Sequence, residues 1–317
     1  MNRSGGIFIA GHRGLVGSAL VRQLQARGVD RLLLRSRAEL ELTDQSAVER
    51  FFKEYQPAQV YLAAGRVGGI KDNAEHPAEF IRENLLIAAN VIDAAYRAGT
   101  AKLLYLGSSC IYPREAPQPI KPEHLLSGPL EATNRAYAIA KIAGIEMCRA
   151  YRAQYGFNAI AAMPTNLYGP GDNFDPVRSH VLPALLQRFA AAAARGDPEV
   201  VVWGTGTPRR EFLFADDLAE AAVLLMDRYA GAEIVNIGCG EDHTIAEIAG
   251  VVAEVTGFRG NIRFDPSYPD GTPRKRLDVA PIKSLGWQPR TGLREGLQRT
   301  WQWYCAQRAG AVRGQGV

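Results

Sequence analysis

Cysteine, methionine and tryptophan are scarce in this chain, with four of each among 317 residues, and histidine occurs five times. Cys110, Cys148, Cys239 and Cys305 stand far apart and form no CxxC pair, so neither a zinc ribbon nor a disulfide framework is expected. His76, His124 and His243 have no spacing suited to a metal site, and metal catalysis is not expected either. Charge of one sign is also lacking. The 37 Lys and Arg nearly balance 33 Asp and Glu, the net charge is +4, and the basic residues are spread along the chain. That argues against nucleic-acid and membrane-surface partners and leaves anionic small molecules open. No run reaches the ~18 apolar residues of a membrane span. The N-terminal stretch MNRSGGIFIAGHRG is too briefly apolar for a signal peptide. A soluble cytoplasmic protein is the expectation.

What is present is an ordinary globular balance, 47% hydrophobic and 22% charged, which argues against disorder. At ~150 residues per domain, the length fits about two domains. Short apolar runs at Ile7 to Ala10, Arg31 to Leu34 and Gln59 to Ala63 read as buried strands. Helical spacing falls between them, at Leu15 to Arg27 and at Ser46 to Tyr55. The alternation continues with a helix Glu79 to Arg97, a strand Lys102 to Gly107, a helix Arg135 to Tyr155 and a strand Ala159 to Met163. This predicts an α/β fold: a Rossmann-type doubly wound parallel sheet covered on both faces. Proline and glycine thicken after Pro164, so a soft boundary is placed near residue 170. The expected division is residues 1–170, with elements returning from the second half, and 171–317. The glycine- and arginine-containing tail from Arg308 to Val317 is expected to fray.

The first strand runs into Gly11, His12, Arg13, Gly14, Leu15, Val16 and Gly17, a GxxGxxG turn opening a helix. Glycines there permit a tight turn and close backbone approach to a pyrophosphate, and the helix N-terminus offers it free N–H groups. The second strand ends in Leu34, Arg35, Ser36 and Arg37, without the acid that usually holds an NAD ribose, although Glu39 follows. Arg13 and two further guanidinium groups near a ribose 2′-phosphate favour NADP(H).

Tyr137 and Lys141 form YxxxK, a spacing that puts both on one helix face. A nearby ammonium favours tyrosinate, so the Tyr137 pKa is expected to fall toward working pH, giving a proton donor and acceptor for a carbonyl. Ser108 follows Gly107 at a strand end, where ligands of open α/β sheets bind, and can hydrogen-bond the same carbonyl.

With these pieces the sequence resembles the extended short-chain dehydrogenase/reductase family over nearly the whole chain. The resemblance is carried by Gly11-x-x-Gly14-x-x-Gly17, Leu106-Gly107-Ser108-Ser109, Tyr137-x-x-x-Lys141, Asn166-Leu167-Tyr168-Gly169-Pro170, Arg210-Glu211-Phe212 with Asp216-Asp217, and Asn236-Ile237-Gly238. It implies nucleotide-sugar chemistry, a tightly held nicotinamide cofactor and a smaller C-terminal substrate-binding α/β domain. IAGHRGLVGSA, LGSSCIYP, YAIAKIAG, PTNLYGPGDNF, SHVLPALL and PDGTPRK narrow it. They are similar to members that take a GDP-sugar, GDP-4-keto-6-deoxy-D-mannose, epimerise it at C3 and C5, and reduce C4 with NADPH.

The resemblance then implies roles. Ser108, Tyr137 and Lys141 become the reduction triad, and Cys110 and His180 the epimerisation acid/base pair. The glycine turn from Gly11 to Gly17, Arg37, Leu106, Gly107, Ser108, Tyr137, Lys141, Pro164, Thr165, Asn166, Leu167 and His180 become cofactor contacts. Arg188, Trp203, Arg210 and Asp270 become substrate contacts. A homodimer is implied, with Glu79 to Arg97 and Arg135 to Tyr155 as its candidate helices. A C4 ketone acidifies the C3 and C5 protons, so one group must remove a proton and another return one to the opposite face. A tunable thiol and an imidazole suit that work. Two alternatives stay open: a simple nucleotide-sugar 4-ketoreductase or 4-epimerase, which needs neither Cys110 nor His180, and a non-catalytic NADP-binding protein, which has no use for Tyr137. Four positions depart from the family's pattern. Glu41 stands where asparagine is often found, Arg66 where lysine is usual, and Arg135 and Ala136 where an acid and a proline are frequent.

Overall fold

The computed structural model describes residues 5–175, 179–268 and 270–313. Its first half alternates as the sequence predicts, with one short helix, α3, that the sequence reading lacks: β1 (Ile7–Ala10), α1 (Leu15–Ala26), β2 (Leu32–Leu33), α2 (Gln45–Tyr55), β3 (Gln59–Leu62), α3 (Ile70–Glu75), α4 (Pro77–Arg97), β4 (Lys102–Leu106), α5 (Arg135–Tyr155) and β5 (Ala159–Pro164). The strand Val235–Ile237 returns from the second half and pairs parallel with β5. The sheet order is then β2, β1, β3, β4, β5 and Val235–Ile237, all parallel.

Strands β3, β4 and β5 are buried at every position, as an all-parallel sheet requires. That explains why they read as unbroken apolar runs rather than alternating ones. One helix layer is made by α2, α4 and α5. On the other side α1 packs against a helix of the second half. Asp44 starts α2 by accepting from the Ala47 amide at 3.0 Å, satisfying one orphan N–H of the first turn. Phe8, Phe51 and Phe52 meet at ring distances of 4.6–5.8 Å and fix α2 on β1. The parallel pairing brings the carboxyl ends of β1, β3, β4 and β5 to one edge, and that edge carries the site.

The second half contributes α6 (Val181–Arg195), α7 (Ala215–Arg228), α8 (Ile245–Thr256), α9 (Ala280–Ser284) and α10 (Leu293–Arg313). Leu218, Ala222, Ile237, Leu277, Ile282 and Trp287 join the core of the large sheet. A second core lies among α6, α8 and the strand pair Glu199–Trp203 and Asn261–Asp265, with Leu186, Phe189, Val202 and Val252 buried in it. A small sheet places Arg209–Arg210 between His243–Thr244 and Arg274–Lys275. The expected fraying from Arg308 is corrected in part. Helix α10 continues through Arg313, and residues 314–317 lie outside the described ones.

Asp172 is the least comfortable charge in the fold. One carboxylate oxygen accepts from the Asn173 amide at 2.8 Å, and the other is buried without a partner. Burial pushes its pKa up to about 7. A carboxyl raised in the folded state keeps its proton while the unfolded chain loses one. Stability present below the ordinary carboxylate pKa is therefore lost as the pH rises towards 7. Asp172→Asn removes that loss. The variant is expected to gain on the order of 1–3 kcal/mol near pH 8 and nothing near pH 4, read as the pH dependence of Tm.

Candidate active site

The phosphate cradle is built from backbone. Gly11 has φ +84°, the left-handed region that favours glycine. The Gly14 amide donates to the Gly11 carbonyl at 3.0 Å and closes the turn. Gly17 lies in the first turns of α1, where a Cβ would collide with the Gly11 carbonyl and the His12 backbone. Both sides of that contact are main chain and cannot rotate away. Gly17→Ala is therefore expected to weaken dinucleotide binding about tenfold or more, some 1.4 kcal/mol, with a lowered Tm; a fluorescence titration with NADPH reads it. The helix N-terminus behind this glycine-closed turn fits a pyrophosphate.

At the end of β2 the expected residues are found in a charged patch. Arg13 is exposed, and its charge reaches Glu39 and His12. Glu39 spends its carboxylate on the Ser36 amide at 2.7 Å and hydroxyl at 2.6 Å, not on an open position at the strand end. Arg35 lies over the Tyr55 ring at 4.7 Å. Arg37 pairs with Glu41 at 2.7 Å and Glu83 at 3.6 Å, a network that Arg66 joins through Glu83 at 2.9 Å. His12 hydrogen-bonds the Arg35 backbone, and burial lowers its pKa.

At the end of β4, Gly107 is held tight under the Met163 side chain. Ser108 caps the short turn Ser109–Ile111, with its Oγ accepting from the Cys110 amide at 3.4 Å. Cys110 Sγ donates to the same Oγ at 3.2 Å. Tyr137 reaches Ser108 from α5, and the edge of its ring meets Phe80 at 6.0 Å. Lys141, one turn on, is buried and donates Nζ to the Leu106 carbonyl at 3.0 Å. Ser108, Cys110, Tyr137 and Lys141 therefore form one cluster on the carboxyl ends of the sheet.

The expectation for the tyrosine's acidity is corrected here. Burial first, then the neighbouring Cys110, push the Tyr137 pKa well above its ordinary 10, against the hydrogen bond of Ser108. The Lys141 ammonium lies 5.7 Å from the Tyr137 ring and is bonded to a carbonyl, too far to outweigh desolvation. Burial pushes Lys141 itself down to about 8. The phenol is thus held protonated, as a donor, rather than poised as tyrosinate.

On the next strand, Pro164 pairs with Ile237, and the Thr165 amide donates to Ile237 at 2.9 Å. Thr165 Oγ1 and Asn166 Nδ2 both donate to the Glu211 carbonyl, at 3.1 and 2.9 Å. Leu167 packs at the edge of the core. His180 caps the N-terminus of α6 through its backbone; the residue keeps an exposed surface, and desolvation by the surrounding protein lowers its pKa. Among the described residues no hydrogen bond joins His180 to Cys110, Ser108 or Tyr137.

The four expected substrate contacts divide into two groups. Arg188 donates to the Val201 carbonyl at 2.8 Å and lies over Trp203 at 5.3 Å. Trp203 is 56% exposed and stacks on Tyr268 at 4.5 Å, with the two rings nearly parallel. Arg210 has no ion pair among the described residues, and burial lowers its pKa against the pull of Asp270. Asp270 grips the Thr205 amide at 2.7 Å and hydroxyl at 2.8 Å, tying two loops together.

Several neighbours escape a reading by motif. Lys275 pairs in register with Arg210 and faces the Cys110 cluster, where burial lowers its pKa. Its place in PDGTPRK is the one signal that could have found it. Glu211 is fully buried, and its carboxylate accepts from the Gly240 and Leu277 amides at 2.6 and 2.8 Å. It clamps the strand carrying Arg210 to the return of the chain. Asp242 does the same for the small sheet, between Arg209 at 3.0 Å and Arg274. Among the described residues no cluster of His, Cys, Asp and Glu is arranged to hold a metal, and no helix is long and apolar enough to cross a membrane.

Comparison with known proteins finds relatives that match nearly the whole chain. Residues 7–238 match the model of the NAD dependent epimerase/dehydratase family. GDP-L-fucose synthase 1 of Arabidopsis thaliana is 58% identical over 303 residues, covering 96% of this chain and 94% of that protein. GDP-L-fucose synthase of Escherichia coli K12 is 52% identical over 307 residues, covering 94% and 96%. Among solved structures, a GDP-mannoheptose C4 reductase from Campylobacter jejuni with NADP bound is 39% identical with a TM-score of 0.88, covering 96% and 99%.

Proposed function

The chain belongs to the NAD dependent epimerase/dehydratase family, and from that premise we propose that it converts GDP-4-dehydro-6-deoxy-α-D-mannose to GDP-β-L-fucose. It is an NADP-dependent oxidoreductase and isomerase that epimerises C3 and C5 and then reduces C4. The observation that carries the reading is the Ser108–Cys110–Tyr137–Lys141 cluster, in which a thiol shares the hydroxyl that holds the reacting carbonyl.

Gly11 to Gly17 hold the pyrophosphate, Arg13, Arg35 and Arg37 face the 2′-phosphate side, and Leu106, Gly107, Lys141, Pro164 to Leu167 and His180 line the nicotinamide side. NADPH, when bound, supplies the hydride to C4. The chain's own groups handle the protons. Ser108 and Tyr137 hydroxyls hold the C4 oxygen and stabilise the enolate that forms when Cys110 takes a ring proton. His180 returns a proton to the opposite face. Tyr137, kept protonated by burial, finally gives its proton to the C4 alkoxide. Arg188 and Arg210 meet the substrate diphosphate, and Trp203 and Asp270 the rest of the nucleotide sugar. The division near residue 170, into dinucleotide and substrate portions, belongs to the same reading. So do a cytoplasmic setting, in keeping with four free thiols, and a homodimer through α4 and α5, where Ile139 and Tyr155 stay exposed.

The likeness to a C4 reductase keeps a second reading, reduction of a GDP-4-keto sugar without epimerisation. Product identity separates the two. Incubation with GDP-4-keto-6-deoxy-D-mannose and NADPH is expected to yield the L-galacto-configured 6-deoxy sugar. A product that keeps the D-configuration at C3 and C5 would establish the plain reductase.

A further inference from the structure

Two epimerisations in one site pose a problem of proton balance, given the function proposed above. After the first, Cys110 is a thiol and His180 is neutral. The second needs the thiolate again. Among the described residues no hydrogen bond links His180 back to Cys110. The thiol's own hydrogen bond runs to Ser108, and beyond Ser108 stands a tyrosine already protonated by burial. That side has no room for another proton.

The other side does. A cavity of about 50 Å³ lies against Cys110, lined also by Glu131, Asn134 and Lys275. A water needs only about 10–15 Å³ by this measure, with two to four polar partners. Glu131 Oε2 and Asn134 Oδ1 are both buried and make no hydrogen bond, although Arg114 Nε lies 3.4 Å from Glu131 Oε2. Two buried acceptors that make no hydrogen bond, the Cys110 side chain lining the same cavity and space for water supply the parts of a proton path. Lys275 lines the same cavity and interacts electrostatically with both Cys110 and Glu131.

We propose that Glu131, through water held in this cavity with Asn134, carries the proton of Cys110 away between the two epimerisations and so restores the thiolate. The Cys110 S–H bond breaks and its proton passes to water. The water passes a proton to the Glu131 carboxylate, which releases it to solvent. No electrons move and no further reactant is required. Glu131 touches neither substrate nor cofactor in this scheme and acts through Cys110.

The test is turnover in heavy water with NADPH, comparing wild type, Glu131→Gln and Glu131→Asp. Wild type is expected to take up deuterium at both C3 and C5; a failure there overturns the proposed function itself. In E131Q the first exchange keeps its rate, the second falls about tenfold or more, and a singly epimerised, reduced product accumulates. E131D restores part of the second exchange, which a merely structural role would not predict. Equal labelling of both carbons in E131Q overturns the relay and leaves the function standing. Equal labelling with a raised KM makes Glu131 a substrate contact and also overturns it. Should E131Q not fold, Asn134→Leu removes the second acceptor and fills the cavity. It must give the same skew between C3 and C5, and an unchanged ratio contradicts the relay.

Discussion

Tyr137→Phe is expected to lower kcat for C4 reduction by about 10²- to 10⁴-fold, the range for a positioned proton donor. The ring remains, so its edge contact with Phe80 remains, and Lys141 keeps its bond to the Leu106 carbonyl. KM and NADPH affinity should therefore stay within about threefold, since only an interaction made in the transition state is removed. The pH profile adds an independent check. Burial holds the Tyr137 pKa above its usual 10, whereas Lys141 is pushed down to about 8. The alkaline limb of kcat/KM is then expected near pH 8, where the lysine loses its charge, and it should persist in the residual activity of Y137F. A limb that vanished in Y137F would assign it to the tyrosine. A binder without catalysis would show no change of rate at all.

Cys110→Ser has the other large effect, and it separates the two halves of the reaction. The thiol sits 3.2 Å from Ser108 Oγ and beside the Lys275 charge. A thiol gives up its proton far more readily than an alcohol, and its anion is the form that takes a proton from carbon. Uptake of solvent deuterium into the sugar ring is expected to fall about 10²- to 10⁴-fold. Reduction of a keto sugar already epimerised at C3 and C5 should proceed within about threefold of wild type, because Ser108, Tyr137 and Lys141 are untouched. Retained ring exchange in C110S would remove Cys110 from the role. Loss of both steps together would mean that the serine disturbs Ser108, and a raised KM would accompany it.

The parallel sheet was legible because each strand is a short apolar run and each helix shows its face. Arg135–Tyr155 agrees to the residue, and other long elements shift by two residues or fewer at either end. β2 shrinks to Leu32–Leu33 because it is an edge strand with one neighbour, so local apolarity alone overstates it. The glycine turn and YxxxK were legible because chemistry fixes their spacing. Tyr137 acidity was not, since desolvation depends on what surrounds the ring, and one helix face says nothing of that. Glu211, Asp242, Glu131 and Lys275 were missed for a related reason. A charged residue in a sequence reads as solvated surface, and only the fold shows that Glu211 is wholly buried against two amides. The small sheet joins positions 209, 243 and 274, and no local pattern links segments so far apart.

The most direct measurement is turnover of GDP-4-keto-6-deoxy-D-mannose with NADPH in heavy water, with mass and NMR analysis of the product. Deuterium at both C3 and C5, one NADPH oxidised per sugar and a fucose-configured product are the expected result. NADPH oxidised with no deuterium in the ring would contradict epimerisation by Cys110 and His180 and leave a simple ketoreductase.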